Sequence, residues 1–421
     1  MLLRMAGLPA AERELVPLRR NRDFVLLQIG QALSTVGSEA SGIAYTLLVL
    51  ALTDSPAKAG IAGFARLVPY VLFALPAGVA VDRFNRKWLM IWSDVVRVIA
   101  LGLLGVSIAT GHVTFAQIVA VAFIEGAMFV IFNIAEIGAV RSVVPAPQLQ
   151  RAFATEQARL SSVYLAGPPL GGVLFGIARS LPFLADAISY AFSTGTLLAM
   201  RTPFQEERED KETAGLRAQI KEGLAWLWGH TFLRTCALLF VGTNFLFGAL
   251  SLTVIVAGRE QGLSSGVIGA LVALEGLLSL LGSLAAPRFL RLFSMRAVLV
   301  GSMWLSLGIV AFVVEPNVFV LLAGIAPFLF FNPTVNAMVI GYRVAIVPDR
   351  LQGRVNSVAR SLALVALPLG PVVAGLLLAS FSVRVTAVFL LVGFCILIVL
   401  TTTNRAIRAA PSFGDVTGAV S

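Results

Sequence analysis

The chain has 421 residues, of which 58% are hydrophobic and 13% charged, and its formal net charge is +10. A soluble domain of this length could not bury so much apolar surface, so the composition indicates a membrane protein whose main partner is the lipid bilayer. The basic residues are separated by long apolar stretches and form no continuous face for phosphates, which argues against nucleic-acid binding. Both cysteines lie within apolar runs, and we expect no metal site and no cofactor.

Twelve apolar stretches approach the length of about 20 residues that a transmembrane helix needs. We therefore expect an all-α polytopic membrane protein with about twelve transmembrane spans. Arginine and lysine are concentrated in alternate loops, which predicts that both termini lie in the cytoplasm. The predicted spans begin near Phe24, Ala57, Leu89, Val113, Ala152, Phe183, Phe232, Gly266, Arg296, Val318, Val355 and Val385.

The sequence contains an internal repeat, since residues of 133–174 recur with unchanged spacing and without gaps in 336–377. The repeat falls on spans 4–5 and 10–11, which predicts two pseudo-symmetric six-helix bundles in parallel orientation. We expect a cytoplasmic segment at 1–23, bundles at 24–201 and 231–404, a cytoplasmic linker at 202–230 and a cytoplasmic tail at 405–421. Residues 219–228 of the linker predict an amphipathic helix that lies either on the membrane surface or against the protein.

A small-residue helix end runs into acidic and basic residues after the second span. This pattern resembles the loop signature of the major facilitator superfamily, and it implies a gate between two halves of the major facilitator fold. Asp82 and Arg83 can pair across the cytoplasmic seam, although ordinary positively charged loop residues are the alternative interpretation. The gating residues that we expect are Gly78, Asp82, Arg83, Arg86 and Lys87, with Asp94 and Arg97 in span 3.

Span 5 carries Gly167, Pro168, Gly171 and Gly172, which resemble the core of the antiporter motif of exporters in this superfamily. The glycines offer a close-packing face and the prolines a kink, so the span can pivot against span 8. A kinked packing helix without directional meaning is the alternative.

Two further segments are Arg66-Leu67-Val68-Pro69 in span 2 and residues 221–230 after the linker. Together with the motifs above, they resemble the sequences of the branch of this superfamily that contains macrolide-efflux and enterobactin-exporter-like proteins. The resemblance implies proton-coupled export of small amphiphilic molecules, such as drugs or siderophores, across a bacterial inner membrane. We expect a monomer, because each half already supplies the partner of the other.

Ionisable side chains within spans are candidates for function, because each costs about 2.5 kcal/mol or more in hydrocarbon. We predict Glu39 and Glu125 as proton carriers, with Arg66 as a countercharge and Glu136 on the same face of span 4 as Glu125. A permanent structural ion pair between Arg66 and either Glu39 or Glu125 is the alternative.

The predicted substrate cavity contains aromatic and amide side chains. We expect Pro327 and Pro333 to interrupt span 10, and interrupted helices tend to line cavities. Glu275 is a candidate for either substrate contact or packing. The other candidates are Asn133, Asn244, Phe245, Phe328, Phe331, Asn332 and Asn336.

Other classes of protein fit the sequence less well. No lysine stands in a phosphate-binding GxxxxGK pattern, and no HExxH motif suggests an enzyme. Transport of a lysophospholipid or another lipid-like substrate, uptake by symport, and a receptor without transport all remain open, because a fold does not fix direction or substrate.

Overall fold

The computed structural model describes residues 17–202, 204 and 216–410, and every regular element in these ranges is helical. The first bundle comprises α1 (Arg22–Thr53), α2 (Pro56–Arg83), α3 (Arg86–Ala109), α4 (Phe115–Val143), α5 (Leu149–Ile177) and α6 (Leu181–Ala199). Between the bundles lies α7 (Leu216–Gly229). The second bundle comprises α8 (Thr231–Glu260), α9 (Ser265–Leu292), α10 (Met295–Leu305), α11 (Ile309–Val314), α12 (Val318–Ile346), α13 (Gln352–Leu364), α14 (Leu369–Ser380) and α15 (Val383–Thr403), followed by the short α16 (Arg405–Arg408).

This architecture confirms the predicted fold class. Within the described ranges, eleven helical segments are long and apolar enough to cross a membrane, with α10–α11 and α13–α14 each counting as one. The twelfth, α6, is 19 residues long but less hydropathic, because it carries polar residues such as Asp186, Ser189, Ser193 and Thr196. All four are buried, so the polar face of α6 packs inward against α1 and α3.

The predicted interruption of span 10 is wrong. Although Pro327 and Pro333 lie inside it, α12 is a continuous helix of 29 residues. Its neighbours hold it tightly, since Gly324 meets Gly308 backbone to backbone and Phe330 lies against Gly282. Packing of this kind allows a membrane helix to tolerate a proline. The tenth span is therefore intact, whereas the eleventh is divided at residues 365–368 and the ninth by a turn at Ser306–Gly308.

The two bundles have matching helix lengths. Both α4 and α12 have 29 residues, so that Phe115 at the start of α4 corresponds to Val318 at the start of α12. The combined α13–α14 segment matches α5 in the same register. Both α2 and α9 have 28 residues, and there Pro56 corresponds to Ser265.

The residue-to-residue correspondence between the two bundles differs between their first helices and their later helices. The third span has 24 residues and its counterpart 20, and the loop that follows is also shorter in the second bundle, at 315–317 against 110–114. One register therefore relates α2 and α3 to α9 and α10, and another relates α4 and α5 to α12 and the α13–α14 segment. The duplication extends over helices where sequence identity alone does not reveal it.

Two pseudo-symmetric seams join the bundles. A Cβ atom added to Gly172 of α5 would collide with the carbonyl oxygen of Ser265, the first residue of α9. At the equivalent position, a Cβ atom on Gly375 of α14 would press against the carbonyl oxygen of Pro56, the first residue of α2. Small residues thus allow backbone-to-backbone contact between the halves, as is common where membrane helices pack closely.

The linker helix α7 packs against the second bundle. Leu227 is buried, Gly223 lies against the backbone of Arg354, and Glu222 forms an ion pair with Arg354 of α13. We call the face where α1 begins and α7 lies the linker face, and the opposite one the far face. Both seams lie in the half of the protein towards the far face.

Candidate functional site

A central cavity of about 580 Å³ lies in the half of the protein towards the linker face. Most of its wall belongs to α1, α2, α4 and α5, and one helix of the second bundle, α13, completes it. The wall is amphiphilic, with aromatic, hydroxyl, amide and charged groups. Its members include Ser38, Glu39, Tyr70, Phe129, Asn133, Glu136, Arg159, Tyr164, Ser357, Arg360 and Ser361.

A second, smaller space of about 300 Å³, the interface cavity, lies between the bundles beside the seams. It is lined by α1, α2 and α5 of the first bundle and by α8, α9 and the α13–α14 segment of the second. Glu39, near the middle of α1, lines both cavities. Gly167 of α5 lies against the Cβ atom of Glu39 and leaves no room for a larger side chain. Tight packing therefore restrains the base of the Glu39 side chain at the junction of the two spaces.

Arg66 of α2 makes its polar contacts within the first bundle. Its Nη2 atom donates to the backbone oxygen of Ser38 at 2.9 Å and lies 3.2 Å from Oε1 of Glu125. The guanidinium rests against Gly42 of α1. Glu39, by contrast, has no ion-pair partner within 4.0 Å among the described residues. The structure thus holds Arg66 with Glu125, while Glu39 forms no ion pair with a described residue.

Glu136 forms a separate ion pair on the same helix as Glu125. Its Oε1 atom lies 3.0 Å from Nη2 of Arg159, which also reaches Thr35 at 3.2 Å and Glu156 at 4.0 Å. The structure therefore gives the two predicted carboxylates of α4 different arginine partners.

Asp94 and Arg97, predicted as part of the gate, form a buried ion pair at 2.5 Å within α3. The guanidinium of Arg97 also stacks over Tyr190 at 4.0 Å. Nearby, Asp186 of α6 is fully buried and accepts a hydrogen bond of 2.6 Å from Ser41. Helix α1 covers this carboxylate.

The rest of the predicted gate lies at the linker face. Gly78 lines the central cavity. Arg83 is exposed and forms no ion pair with a described residue. The side chain of Asp82 is not among those that the structure describes. Arg86 and Lys87 donate to the backbone oxygens of Phe204 and Met200, at 3.5 and 2.7 Å. These bonds attach the α2–α3 loop to the end of α6, within one half of the protein.

Only two of the predicted cavity residues line a cavity described above: Asn133 the central one and Glu275 the interface one. Phe328 is fully buried and packs on Phe394, with ring centroids 5.3 Å apart, so its predicted place in a cavity wall is wrong. The remaining candidates make contacts within the second bundle. Phe245 meets Phe389, Phe331 meets Phe289, Asn244 bonds to Phe240, and Asn336 bonds to Asn332.

Sequence reasoning missed the contribution of α13. Ser357, Arg360, Ser361 and Leu364 all line the central cavity. They stand at positions i, i+3, i+4 and i+7, so they form one face of a helix. A polar stripe within an apolar span was a signal in the sequence that could have found Ser357, Arg360 and Ser361.

Two helical bundles that enclose cavities between them, in a chain of membrane-spanning helices, define a multi-pass membrane transporter. The family model of the Major Facilitator Superfamily matches residues 27–264, more than half of the chain. The protein belongs to that superfamily, whose members are transporters and not enzymes.

Relatives of known activity share limited identity with the chain. It is 26% identical over 365 residues to the multidrug efflux pump Tap of Mycobacterium tuberculosis, which covers 83% of this chain and 85% of the pump. It is 26% identical over 226 residues to macrolide efflux protein A of Streptococcus pyogenes, covering 53% and 55% of the two chains. Among solved structures, an inward-facing bacterial homologue of the human lysosomal transporter Spinster matches with a TM-score of 0.72 at 13% identity, over 94% of this chain and 100% of that one.

Proposed function

We propose that the protein is a secondary active exporter of small amphiphilic molecules, driven by proton antiport through alternating access. The linker face is then the cytoplasmic face of a bacterial inner membrane, as the basic loop residues predict. In this orientation the central cavity lies on the cytoplasmic side and the seams close the outer side, an inward-facing arrangement. The efflux activities in the names of the relatives agree with this direction.

Glu39 is the observation that carries the proposal. A coupling carboxylate must be reached by both protons and substrate, and it must be free to change its protonation state. Glu39 lines both cavities and has no ion-pair partner among the described residues, whereas Glu125 and Glu136 already face arginines. We assign Glu39 as the principal proton carrier.

Arg66 links this carrier to the rest of the network. It faces the cavity that Glu39 lines while it is paired with Glu125. When Glu39 is ionised, the guanidinium is attracted by two carboxylates, and when Glu39 is protonated, only Glu125 attracts it. Protonation of Glu39 thereby changes the balance of forces between α1, α2 and α4, the helices that build the central cavity.

The test uses liposomes with an acidic interior, a luminal pH dye and a panel of amphiphilic antibiotics. An antiporter accumulates substrate inside while the lumen becomes alkaline, and Glu39→Gln abolishes both changes. Glu39→Asp retains a carboxylate and is expected to retain part of the activity. Glu315→Gln, at an exposed loop position, serves as the control and should transport like wild type.

The other outcomes identify the competing functions. Substrate that leaves an acidic lumen together with protons indicates a symporter. Substrate movement without proton movement contradicts coupling and favours a facilitator or a transporter of lipid-like molecules. Wild-type behaviour of Glu39→Gln shows that the assignment of the carrier is wrong.

A further inference from the structure

The interface cavity contains a carboxylate that no described protein group neutralises. Glu275 of α9 is only 9% exposed and lines this cavity. Its Oε1 atom is buried without a hydrogen-bond partner, and no arginine or lysine among the described residues lies within 4.0 Å of the carboxylate. A buried carboxylate in this situation is costly unless it meets a proton or a cation.

Pseudo-symmetry explains why Glu275 has no charged partner among the residues that the structure describes. When α2 and α9 are aligned end to end, Glu275 is the counterpart of Arg66, and both line the interface cavity. Arg66 has Glu125 of α4 beside it. When α4 and α12 are aligned in the same way, the counterpart of Glu125 is the buried Phe328. The second bundle therefore supplies no charged group at the position where the first supplies one.

The charges that remain around the cavity are negative. Glu125 lies 3.2 Å from Arg66, whereas neither Glu39 nor Glu275 has an arginine or lysine within 4.0 Å among the described residues. Much of the surrounding wall is apolar and includes Ile43, Leu67, Phe247, Leu252 and Val272. An apolar wall with an unpaired carboxylate is suited to an organic cation.

An inorganic ion fits this space less well. Divalent cations such as Ca²⁺ are held by six to eight oxygen ligands. The described residues contain no group of three or more histidine, cysteine, aspartate or glutamate side chains that could hold a metal. A protonated amine needs only a few acceptors, and its apolar substituents can contact the rest of the wall.

We propose that the interface cavity binds the protonated amine of an amphiphilic substrate, with Glu275 as the acceptor that determines this specificity. The volume of about 300 Å³ accommodates a head group and an adjoining ring, and the central cavity, which shares Glu39, holds the remainder of the molecule. This inference rests on the proposed function in treating the ligand as a transport substrate, but the binding itself requires no proton coupling.

The test is calorimetric titration of the purified full-length protein at pH 7 without a membrane gradient. The probes are 1-naphthylmethylamine, which is charged at this pH, and 1-naphthylmethanol, which has the same ring system and no charge. We expect the amine to bind about tenfold more tightly than the alcohol, the preference expected of a charge-assisted hydrogen bond. Glu275→Gln should remove this preference and leave the affinity for the alcohol unchanged.

Two further variants test whether the preference for the amine depends on the negative charge at position 275. Glu275→Asp keeps the charge and should keep part of the preference, and Glu315→Gln, at an exposed position, should bind both probes like wild type. Unchanged alcohol binding by Glu275→Gln also shows that this variant is folded.

Several results would overturn the inference. These are a wild-type protein with no preference for the amine or no measurable amine binding, a preference that survives Glu275→Gln, or an equal loss in Glu275→Asp and Glu275→Gln. Each of them leaves proton antiport through Glu39 standing if the transport assay supports it. Conversely, selective binding of the amine in a protein that moves no protons would support the amine site and contradict proton antiport.

Discussion

The two bundles share helix boundaries and seams, yet they differ in the chemistry of their interiors. Among the described residues, the first bundle buries Asp23, Asp94, Arg97, Glu125, Glu136 and Asp186, whereas the second buries one charged side chain, Glu275. At equivalent positions, Glu125 corresponds to Phe328 and Glu136 to Val339. Duplication has preserved the packing positions while the charges diverged. We infer that the first bundle performs coupling and that the second supplies the opposite wall of the cavities and one buried carboxylate.

The largest expected difference between the bundles concerns Arg97 of α3 and Ser306, its counterpart when α3 and α10 are aligned from their first residues. Arg97→Met leaves Asp94 buried without its countercharge, which costs about 3–5 kcal/mol of unfolding free energy. Ser306→Ala removes one hydrogen bond to Met303, at a cost of about 1 kcal/mol. Unfolding in detergent, followed by circular dichroism, measures both. Equal losses would contradict the view that only the first bundle depends on buried ion pairs.

A second comparison separates function from stability. Glu125→Gln deprives Arg66 of its charged partner, and we expect it to abolish proton-coupled transport while lowering the unfolding free energy by about 1–3 kcal/mol. Phe328→Leu, at the equivalent position, should cost about 1 kcal/mol and leave transport intact. Transport by both variants in proteoliposomes provides the test. Wild-type coupling in Glu125→Gln would remove this pair from the mechanism.

We expect the same substitution to have the same effect at both seams between the bundles. Gly172→Ala and Gly375→Ala each force a Cβ atom against a backbone oxygen across the interface, which costs about 1–3 kcal/mol. Both should therefore favour opening of the far face. Gly195→Ala is the control, because no atom lies within 4 Å of the added Cβ atom.

Maleimide labelling measures this opening. The reporter is Ser251→Cys in the interface cavity, in a protein in which Cys236 and Cys395 are replaced by alanine. Faster labelling in only one of the two seam variants would contradict the symmetry of the seams.

The smallest expected effect concerns the ion pair between Asp54 and Arg259, which joins the two bundles at the far face at 2.9 Å. The side chain of Asp54 is 90% exposed, so the pair contributes about 0.2–1 kcal/mol. Asp54 has a positive φ of 53°, a conformation that asparagine also tolerates. Asp54→Asn should therefore reduce stability slightly and leave transport rates almost unchanged. A large loss of transport would show that this pair is a true gate.

Much of the fold was predictable from the sequence. The starts of all twelve spans lie within a few residues of those predicted, because the length of an apolar run is a local property. The duplication was visible where glycine and proline recur in spans 5 and 11, since close packing restricts those positions in both halves. The different register of the earlier helices was not found, because few identities remain there and because the shorter ninth span and the shorter loop after it shift the alignment.

The candidate site was predictable only in part. Glu39, Arg66, Glu125, Glu136 and Glu275 were identifiable individually, because an ionisable group in a membrane span is conspicuous in any sequence. Their pairing depends on which helices are neighbours in space, and neighbours such as α2 and α4 are far apart along the chain. The aromatic cluster of span 10 was misassigned because phenylalanine suits a cavity wall, a packed core and a lipid-facing surface equally well.

The sequence by itself determined that the chain crosses a membrane many times, that it consists of two related halves and that several charges lie within its spans. These properties follow from hydropathy, helix geometry and residue spacing, which act over short stretches. Only the tertiary structure decided that Glu125 pairs with Arg66, that Glu39 lies between two cavities without an ion-pair partner among the described residues, and that Glu275 faces the same space as Arg66. These arrangements depend on the contacts between helices, because an electrostatic interaction is set by distance in space and not by separation in sequence.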